Sequence, residues 1–309
     1  MALRVLLAYD GSETAAAAVR AAARLFGEAH AVVATVPAAV SARTETVQRA
    51  VPTIAADVVE QTVASLETDA HEDAAEIARE GAERARAHGL RAEARTAAPG
   101  APGSSLLELA QELAADVLVC GTRGRSALGR MVLGSTSTRL LHHAELPLLV
   151  VPDDAGEPAG APILAFDGAE PATRAVEAAG RLLPGRSAVV LHVWESPYRY
   201  SRTAKALARG PVDDVREIIA VLDQALADVA DERTRTGVEL ATRAGLVAVG
   251  ETLESEAGIA QAVAAHAREH DAAVIVCGAR GLGGVRSALL GSVSSGLVHH
   301  ADRPTLVVP

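Results

Sequence analysis

The sequence has little that would attach the protein to nucleic acid or to a membrane. The 309 residues carry 29 Lys and Arg against 39 Asp and Glu, and no basic run is visible. A nucleic-acid interface needs clustered Lys and Arg, so none is expected. No apolar run approaches the roughly 20 residues of a membrane helix, and the apolar start from Leu3 to Tyr9 is followed at once by Asp10. We therefore expect a cytoplasmic protein.

Cysteine is equally scarce. The two cysteines, Cys120 and Cys277, each end an apolar run, VLVC or VIVC. No second cysteine lies within metal-ligand spacing of either one. We interpret both as small buried hydrophobic residues rather than as thiol nucleophiles or metal ligands.

Several familiar signatures are also missing. The chain contains no Walker Gly-x4-Gly-Lys-Ser/Thr and no Gly-x-Gly-x-x-Gly after the first strand of either half, which disfavours a P-loop ATPase or an NAD enzyme. The adjacent pairs His142-His143 and His299-His300 invite a metal interpretation. Neighbours on a helix point about 100° apart and do not easily share one ion. We therefore predict no metal site.

What the sequence does contain is a tandem repeat. Equivalent landmarks lie 157 residues apart, as in Asp10 and Asp167, Gly134 and Gly291, and Pro147 and Pro304. The segments 121–152 and 278–309 match at 16 of 32 positions. We predict two domains, 1–152 and 161–309, with residues 153–160 (DDAGEPAG) as the linker.

Each half alternates short, almost wholly apolar strands with helices, which predicts a parallel sheet covered on both faces. Ser12 is expected to cap the first helix, whereas its counterpart Ala169 cannot. Ser105 and Glu108 have the spacing of a capping box. An alignment of Gly89 with Gly237 indicates that the middle of the halves has diverged by two compensating shifts of nine residues.

The chemical signal is a glycine pattern that follows the fourth strand of each half. Glycines let the backbone approach a ligand, and the Gly-Ser pair begins a helix whose unpaired N–H groups attract phosphate. The arginine between the first two glycines is a cation that could face a phosphate, and the serines add hydroxyls. The predicted phosphate residues are Gly121, Arg123, Gly124, Gly134, Ser135, Thr136 and Ser137 in the first half, and Gly278, Arg280, Gly281, Gly291, Ser292, Val293 and Ser294 in the second.

A carboxylate follows the first strand of each half. Asp10 and Asp167 stand where the crevice of an open parallel sheet would lie, at the carboxyl ends of the strands. Such a carboxylate could accept a hydrogen bond from a base amino group or a ribose hydroxyl. The alternative is that it only caps nearby backbone amides.

At these residues the chain resembles the universal stress protein family in its tandem form, and specifically the nucleotide-binding branch marked by Gly-x2-Gly-x9-Gly-Ser/Thr. The resemblance implies two flavodoxin-like (Rossmann-like) domains, each with five parallel strands, and ATP or ADP, with or without Mg²⁺, in each crevice. The adenine would lie near Ala8, Asp10 and Val36, or near Ala165, Asp167 and Val193. The resemblance also implies that the halves pair through their last strands and that chains form homodimers.

These features favour a nucleotide-binding stress-response sensor, and no catalytic residue is nominated. One alternative is a slow Mg²⁺-dependent ATPase or phosphotransferase in which Asp10 or Asp167 orients metal or water. Another is a scaffold whose crevice stays empty. If Gly121 and Gly278 serve a ligand, Gly→Glu at either is expected to abolish binding in that half and to leave the fold largely intact.

Overall fold

The structure, a computed structural model, describes residues 2–40, 56–124, 133–196, 213–279 and 290–309. The chain divides into two compact units, Met1–Asp153 and Asp154–Pro309. Each unit alternates strands and helices along the chain. In the part of the chain that the structure describes, no helix combines the length and the apolar character needed to cross a bilayer.

The first unit is a parallel sheet with the strand order β3-β2-β1-β4-β5. Its described elements are β1 (Arg4–Ala8), α1 (Glu13–Phe26), β2 (His30–Thr35), α2 (Ala56–Ala87), β3 (Arg91–Thr96), α3 (Pro102–Glu112), β4 (Val117–Gly121), α4 (Ser135–His143) and β5 (Leu148–Val151). The connections through α1 and α2 run towards one edge of the sheet and those through α3 and α4 towards the other. Right-handed crossovers therefore place the two helix pairs on opposite faces.

The second unit repeats this arrangement, with the strand order β8-β7-β6-β9-β10 and parallel pairing. Its described elements are β6 (Ile163–Ala165), α5 (Glu170–Leu182), β7 (Ser187–Trp194), α6 (Asp213–Arg243), β8 (Val247–Glu254), α7 (Ile259–Glu269), β9 (Ile275–Gly278), α8 (Ser292–His300) and β10 (Thr305–Val308). Two five-stranded parallel sheets in tandem confirm the predicted fold class.

The central strands and α1 form the core of the first unit. Leu6, Leu118 and Leu149 are fully buried in β1, β4 and β5. The alanine-rich α1 packs against β4 and β5 through small side chains, which allow a close approach. Ser12 caps α1 as predicted, since its Oγ accepts a hydrogen bond from the Ala15 N–H at 3.1 Å.

The predicted capping box at Ser105 is wrong. Helix α3 begins three residues earlier, at Pro102, and Ala101 is its N-cap. Proline is preorganised for the first helical position, where its missing N–H costs nothing. Ser105 is buried inside the helix, and its hydroxyl donates back to the Ala101 carbonyl at 3.4 Å.

The alignment of Gly89 with Gly237 is also wrong. Gly89 and Gly245 follow the two long helices α2 and α6, each with a φ of 94°. Gly81 and Gly237 lie inside those helices, where an added Cβ would come within 2.7 Å of the aromatic ring that follows the first strand of the unit. Both true pairs differ by 156 residues (245 − 89 and 237 − 81). The middle of the halves has therefore shifted by one residue rather than nine.

Candidate functional site

A cavity of about 310 Å³ opens at the carboxyl ends of the strands in the first unit. This volume lies at the lower end of the range of roughly 300–1,000 Å³ typical of small-molecule pockets. Strand ends from β1, β2 and β4 meet there with the starts of α3 and α4. All ten residues predicted for the first half line it: Ala8, Asp10, Val36, Gly121, Arg123, Gly124, Gly134, Ser135, Thr136 and Ser137.

The lining of the cavity includes apolar residues. Ala8, Val36, Leu106 and Cys120 are among them, and apolar side chains suit the flat face of a base. Complete burial raises the pKa of the Cys120 thiol to about 12, so the thiol stays protonated at neutral pH. Cys277 is buried in the same way, with its pKa also raised to about 12. Both cysteines are buried, as predicted.

The start of α4 presents backbone N–H groups that have no acceptor within the helix. The first intrahelical bond runs from the Thr138 N–H to the Gly134 carbonyl, at 2.9 Å. The three preceding N–H groups, of Ser135, Thr136 and Ser137, consequently have no acceptor within the helix. An anion that binds to these groups would also meet the positive end of the helix dipole.

The side chain of Ser137 joins this helix to the described ends of the glycine loop (residues 121–124 and 133–134). Its hydroxyl, which is buried, donates to the Thr122 carbonyl at 2.8 Å, with the Gly134 carbonyl at 3.0 Å. The Gly134 N–H donates to the same Thr122 carbonyl, also at 2.8 Å. The hydroxyl proton that the sequence analysis assigned to phosphate is therefore used within the loop, and the backbone amides are what α4 offers to an anion.

The carboxylate of Asp10 organises the other side of the cavity. Its Oδ1 accepts a hydrogen bond from the Ser12 N–H at 3.1 Å, so the interpretation as a backbone cap holds. The glycine loop lies directly against its second oxygen, because a Cβ added to Gly124 would be 2.5 Å from Oδ2. A side chain at position 124 would therefore displace the Asp10 carboxylate from this arrangement. The carboxylate still lines the cavity, where a ligand hydroxyl or amino group can reach it.

Arg123 does not face the cavity as an unpaired cation. Its guanidinium forms an ion pair with Asp153. Asp153 also accepts hydrogen bonds from the hydroxyls of Thr14 and of Thr122, the latter at 3.3 Å. Asp153 lies in the predicted linker, and no sequence pattern indicates this anchoring role. At the positions equivalent to Thr14 and Thr122 the second half carries Pro171 and Ala279, which have no hydroxyl.

Gly121 and Gly278 serve packing between strand and helix. A Cβ on Gly121 would lie 2.3 Å from Cγ2 of Thr14, in α1. A Cβ on Gly278 would lie 2.7 Å from the backbone carbonyl carbon of Pro171, in α5. These glycines let each helix begin directly against the end of a central strand. The expectation that Gly→Glu leaves the fold intact is therefore wrong.

The second unit repeats the backbone geometry at the equivalent positions. Asp167 accepts a hydrogen bond from the Ala169 N–H at 2.9 Å. Ser294 donates to the carbonyls of Ala279 and Gly291, at 2.9 and 3.0 Å. The first intrahelical bond of α8 runs from the Ser295 N–H to Gly291, which leaves the N–H groups of residues 292–294 without an acceptor in the helix.

The remaining predicted residues of the second half occupy corresponding places. Ala165 ends β6, Val193 is buried near the end of β7, Gly278 ends β9, Gly291 is the N-cap of α8, and Ser292 and Val293 lie in its first turn. Arg280 and Gly281 lie outside the described residues.

A histidine in the second unit replaces a threonine in the first, and the sequence analysis missed both. His192 is buried, and its Nδ1–H donates to the Phe166 carbonyl at 2.6 Å. Thr35 makes the equivalent bond to the Tyr9 carbonyl at 2.8 Å. Burial lowers the pKa of His192. The constant offset of 157 residues pairs these positions, so a scan of polar residues at that offset could have found them.

Comparisons with known proteins agree on one family. The sequence profile of the universal stress protein family matches residues 1–152 and 163–309. A universal stress protein of Mycolicibacterium smegmatis is 34% identical over 207 residues, which span 63% of this chain and 62% of that protein. The match thus spans less than two thirds of that relative.

A solved structure shows the same fold. The crystal structure of a universal stress protein from Archaeoglobus fulgidus aligns with 99% of this chain and 97% of its own, with a TM-score of 0.62 and 20% identity. A universal stress protein solved in complex with cAMP is 29% identical and aligns with 48% of this chain and 96% of its own, with a TM-score of 0.33.

Proposed function

The chain belongs to the universal stress protein family, and we propose that it binds an adenine nucleotide, ATP or ADP, in the crevice of each half and acts as a cytoplasmic stress-response sensor. The observation that carries the proposal is the cavity of the first unit, which brings all ten predicted residues together. These residues come from four separate parts of the chain, so their convergence does not follow from sequence proximity.

The cavity offers complementary chemistry to the three parts of a nucleotide. The apolar side chains of Ala8 and Val36 suit the base. The Asp10 carboxylate can accept a hydrogen bond from a ribose hydroxyl or a base amino group. The N–H groups at the start of α4 suit the phosphates. A single helix-terminus contact contributes only about 0.3–1 kcal/mol, so useful affinity requires several groups to converge.

A second site is proposed in the other half because the backbone features recur there. Asp167 follows β6, and the start of α8 at Ser292 presents the same unpaired N–H groups. The Ser294 hydroxyl donates to the carbonyls of Ala279 and Gly291. These are the equivalents of the two carbonyls that Ser137 contacts in the first half.

The arrangement favours binding over catalysis. Asp10 and Asp167 each commit one carboxylate oxygen to a backbone amide, and the Cys120 thiol in the cavity wall is protonated at neutral pH. We therefore propose that occupancy acts through conformation or partner binding. The glycine loop is the element that a phosphate would contact, and Ser137 couples its position to α4.

Calorimetric titration of nucleotide-stripped protein with MgATP tests the proposal. Two sites per chain at micromolar affinity, about −8 kcal/mol each, are expected. Parallel titrations with ADP, AMP and cAMP identify the preferred adenine ligand. No heat and no thermal stabilisation at saturating nucleotide would contradict the proposal and favour an empty scaffold. Steady phosphate release that disappears in Asp10→Asn plus Asp167→Asn would favour the ATPase.

A further inference from the structure

Three potential metal ligands converge in the second unit, and none of them is a predicted nucleotide residue. Glu251 lies on the outer strand β8, His266 lies on α7, and His270 is the C-cap of that helix. One ligand atom from each lies within 4.8 Å of the others. The two histidines are four residues apart, a spacing that places both imidazoles on the same face of a helix.

The hydrogen bonding of His270 leaves one ring nitrogen suited to a metal. Its Nδ1 is 3.0 Å from the His266 carbonyl oxygen, which can only accept, so Nδ1 carries the proton. The neutral ring then has its lone pair on Nε2. Histidines that bind metals commonly donate their other ring N–H to a backbone carbonyl in this way, which fixes the tautomer.

The Nε2 atom of His266 is buried and lacks a hydrogen-bond partner among the described residues. Oε2 of Glu251 lies 3.1 Å from it, but without hydrogen-bonding geometry. Two ligand atoms at neighbouring corners of a tetrahedral zinc site, with bonds of 2.0–2.1 Å, are about 3.3 Å apart. This pair therefore has the separation of two ligands of one ion.

We propose that Glu251, His266 and His270 bind a Zn²⁺ ion, with a fourth coordination position for water. Two imidazoles and one carboxylate are donors that zinc accepts, and three protein ligands leave such a position open. The site differs from the adjacent histidine pairs that the sequence analysis rejected, because here the rings lie one helical turn apart. The side chain of His266 is 11% exposed and that of Glu251 is 40% exposed, so one side of the site is shielded and the other is open to solvent.

The first unit carries other residue types at the three equivalent positions. Arg95 pairs with Ala34 in β2 in the same register as Glu251 pairs with Leu191 in β7. Leu109 occupies the place of His266 in the helix, and Leu113 is the C-cap as His270 is. An arginine and two leucines offer no metal ligand. The proposed site therefore occurs in one half only and is independent of the duplicated crevice.

Competition titration of metal-free protein with Zn²⁺ against a chromophoric chelator tests the proposal. One site per chain is expected, and His270→Ala and Glu251→Gln should each weaken Zn²⁺ binding by at least about 100-fold, since even outer partners of metal ligands contribute 10- to 100-fold. His300→Ala removes an exposed histidine outside the cluster and should leave the affinity unchanged. Because His270 is exposed, its variant is expected to fold.

A second readout reports on coordination itself. Co²⁺ in place of Zn²⁺ should give the visible absorption of a four-coordinate site, and His270→Ala should abolish it. Zn²⁺ should raise the melting temperature of the wild-type protein and not that of His270→Ala. The proposal is overturned if the wild type shows no saturable Zn²⁺ binding at micromolar concentration, or if wild type, His270→Ala and Glu251→Gln bind it equally.

Discussion

The Ser137 hydroxyl donates to the Thr122 carbonyl oxygen across 2.8 Å and so joins the start of α4 to the glycine loop. Ser137→Ala should lower the free energy of unfolding by about 1 kcal/mol, because a buried hydrogen bond is lost. It should also weaken nucleotide binding in the first half by loosening the loop. Urea unfolding and calorimetry measure the two effects. Thr138→Ala, at the next residue of α4, which does not line the cavity, should lower neither, and equal behaviour of the two variants would contradict this role.

Gly278 is expected to matter more for the fold than for the ligand. Gly278→Ala should destabilise the protein by about 2–3 kcal/mol, because the new Cβ would lie 2.7 Å from the Pro171 backbone. Gly121→Ala should cost less, since its closest contact is the Thr14 side chain, which can rotate if it gives up its bond to Asp153.

Gly134→Ala is the matched control for these glycines. A Cβ there would meet its nearest atoms at 3.5 Å, and Gly134 has a φ of −66°, which any residue adopts. In chemical unfolding, the free energy of unfolding of this variant should lie within about 1 kcal/mol of the wild-type value. A Gly278→Ala protein with the wild-type unfolding midpoint would show that the close approach to Pro171 is not required.

Much of the candidate site could be predicted because parallel strands end at the same edge of a sheet. Asp10 and Val36 follow β1 and β2, and Gly134 belongs to the loop after β4, so the strand order alone brings them together. Repetition of the pattern at one offset strengthened the prediction, since chance rarely preserves glycines and serines in a loop.

The partners of polar side chains could not be predicted in the same way. A serine hydroxyl donates equally well to a phosphate or to a carbonyl, and only the path of the loop decides that Ser137 bonds to Thr122. Asp153 stands 30 residues from Arg123 in sequence (153 − 123), and nothing local links them. Likewise, the spacing of His266 and His270 is visible in the sequence, but the approach of Glu251 depends on the packing of α7 near β8.

Removing the charge of Asp153 should loosen the hold of this partner on Arg123. Asp153→Asn is expected to tighten ATP binding in the first half by roughly fivefold, equivalent to about 1 kcal/mol, because Arg123 loses the negative charge of Asp153. Calorimetry at low and high salt measures this change, which should shrink as salt screens the charges. Asp154→Asn alters an exposed neighbour and serves as the control. Unchanged or weaker ATP binding in Asp153→Asn alone would contradict the expectation.

His192 should make the stability of the protein depend on pH. Burial lowers its pKa below the ordinary 6.5, the hydrogen bond to the Phe166 carbonyl opposes this shift, and the charges of Arg233 and Asp167 add smaller effects of opposite sign. Between the two pKa values the unfolded chain binds more protons, so stability is complete above about pH 6.5 and is lost as pH falls towards the folded pKa. His192→Thr, which copies Thr35, should reduce the slope of unfolding free energy against pH over that interval. Identical slopes for the wild type and His192→Thr would show that His192 does not cause the pH dependence of stability.

The central claim is that the helix starts at Ser135 and Ser292 hold phosphate through backbone N–H groups that the fold does not need. Proline at the first helical position removes such an N–H and remains compatible with the helix, and the preceding Gly134 and Gly291 have the extended backbone that proline prefers. MgATP titration of Ser135→Pro should show one site of wild-type affinity and one weakened at least about tenfold, since a bond to a charged group contributes about 1.5–3 kcal/mol. Ser135→Pro plus Ser292→Pro should weaken both sites while the unfolding midpoint stays near that of wild type. Two sites of unchanged affinity in that double variant would contradict the account.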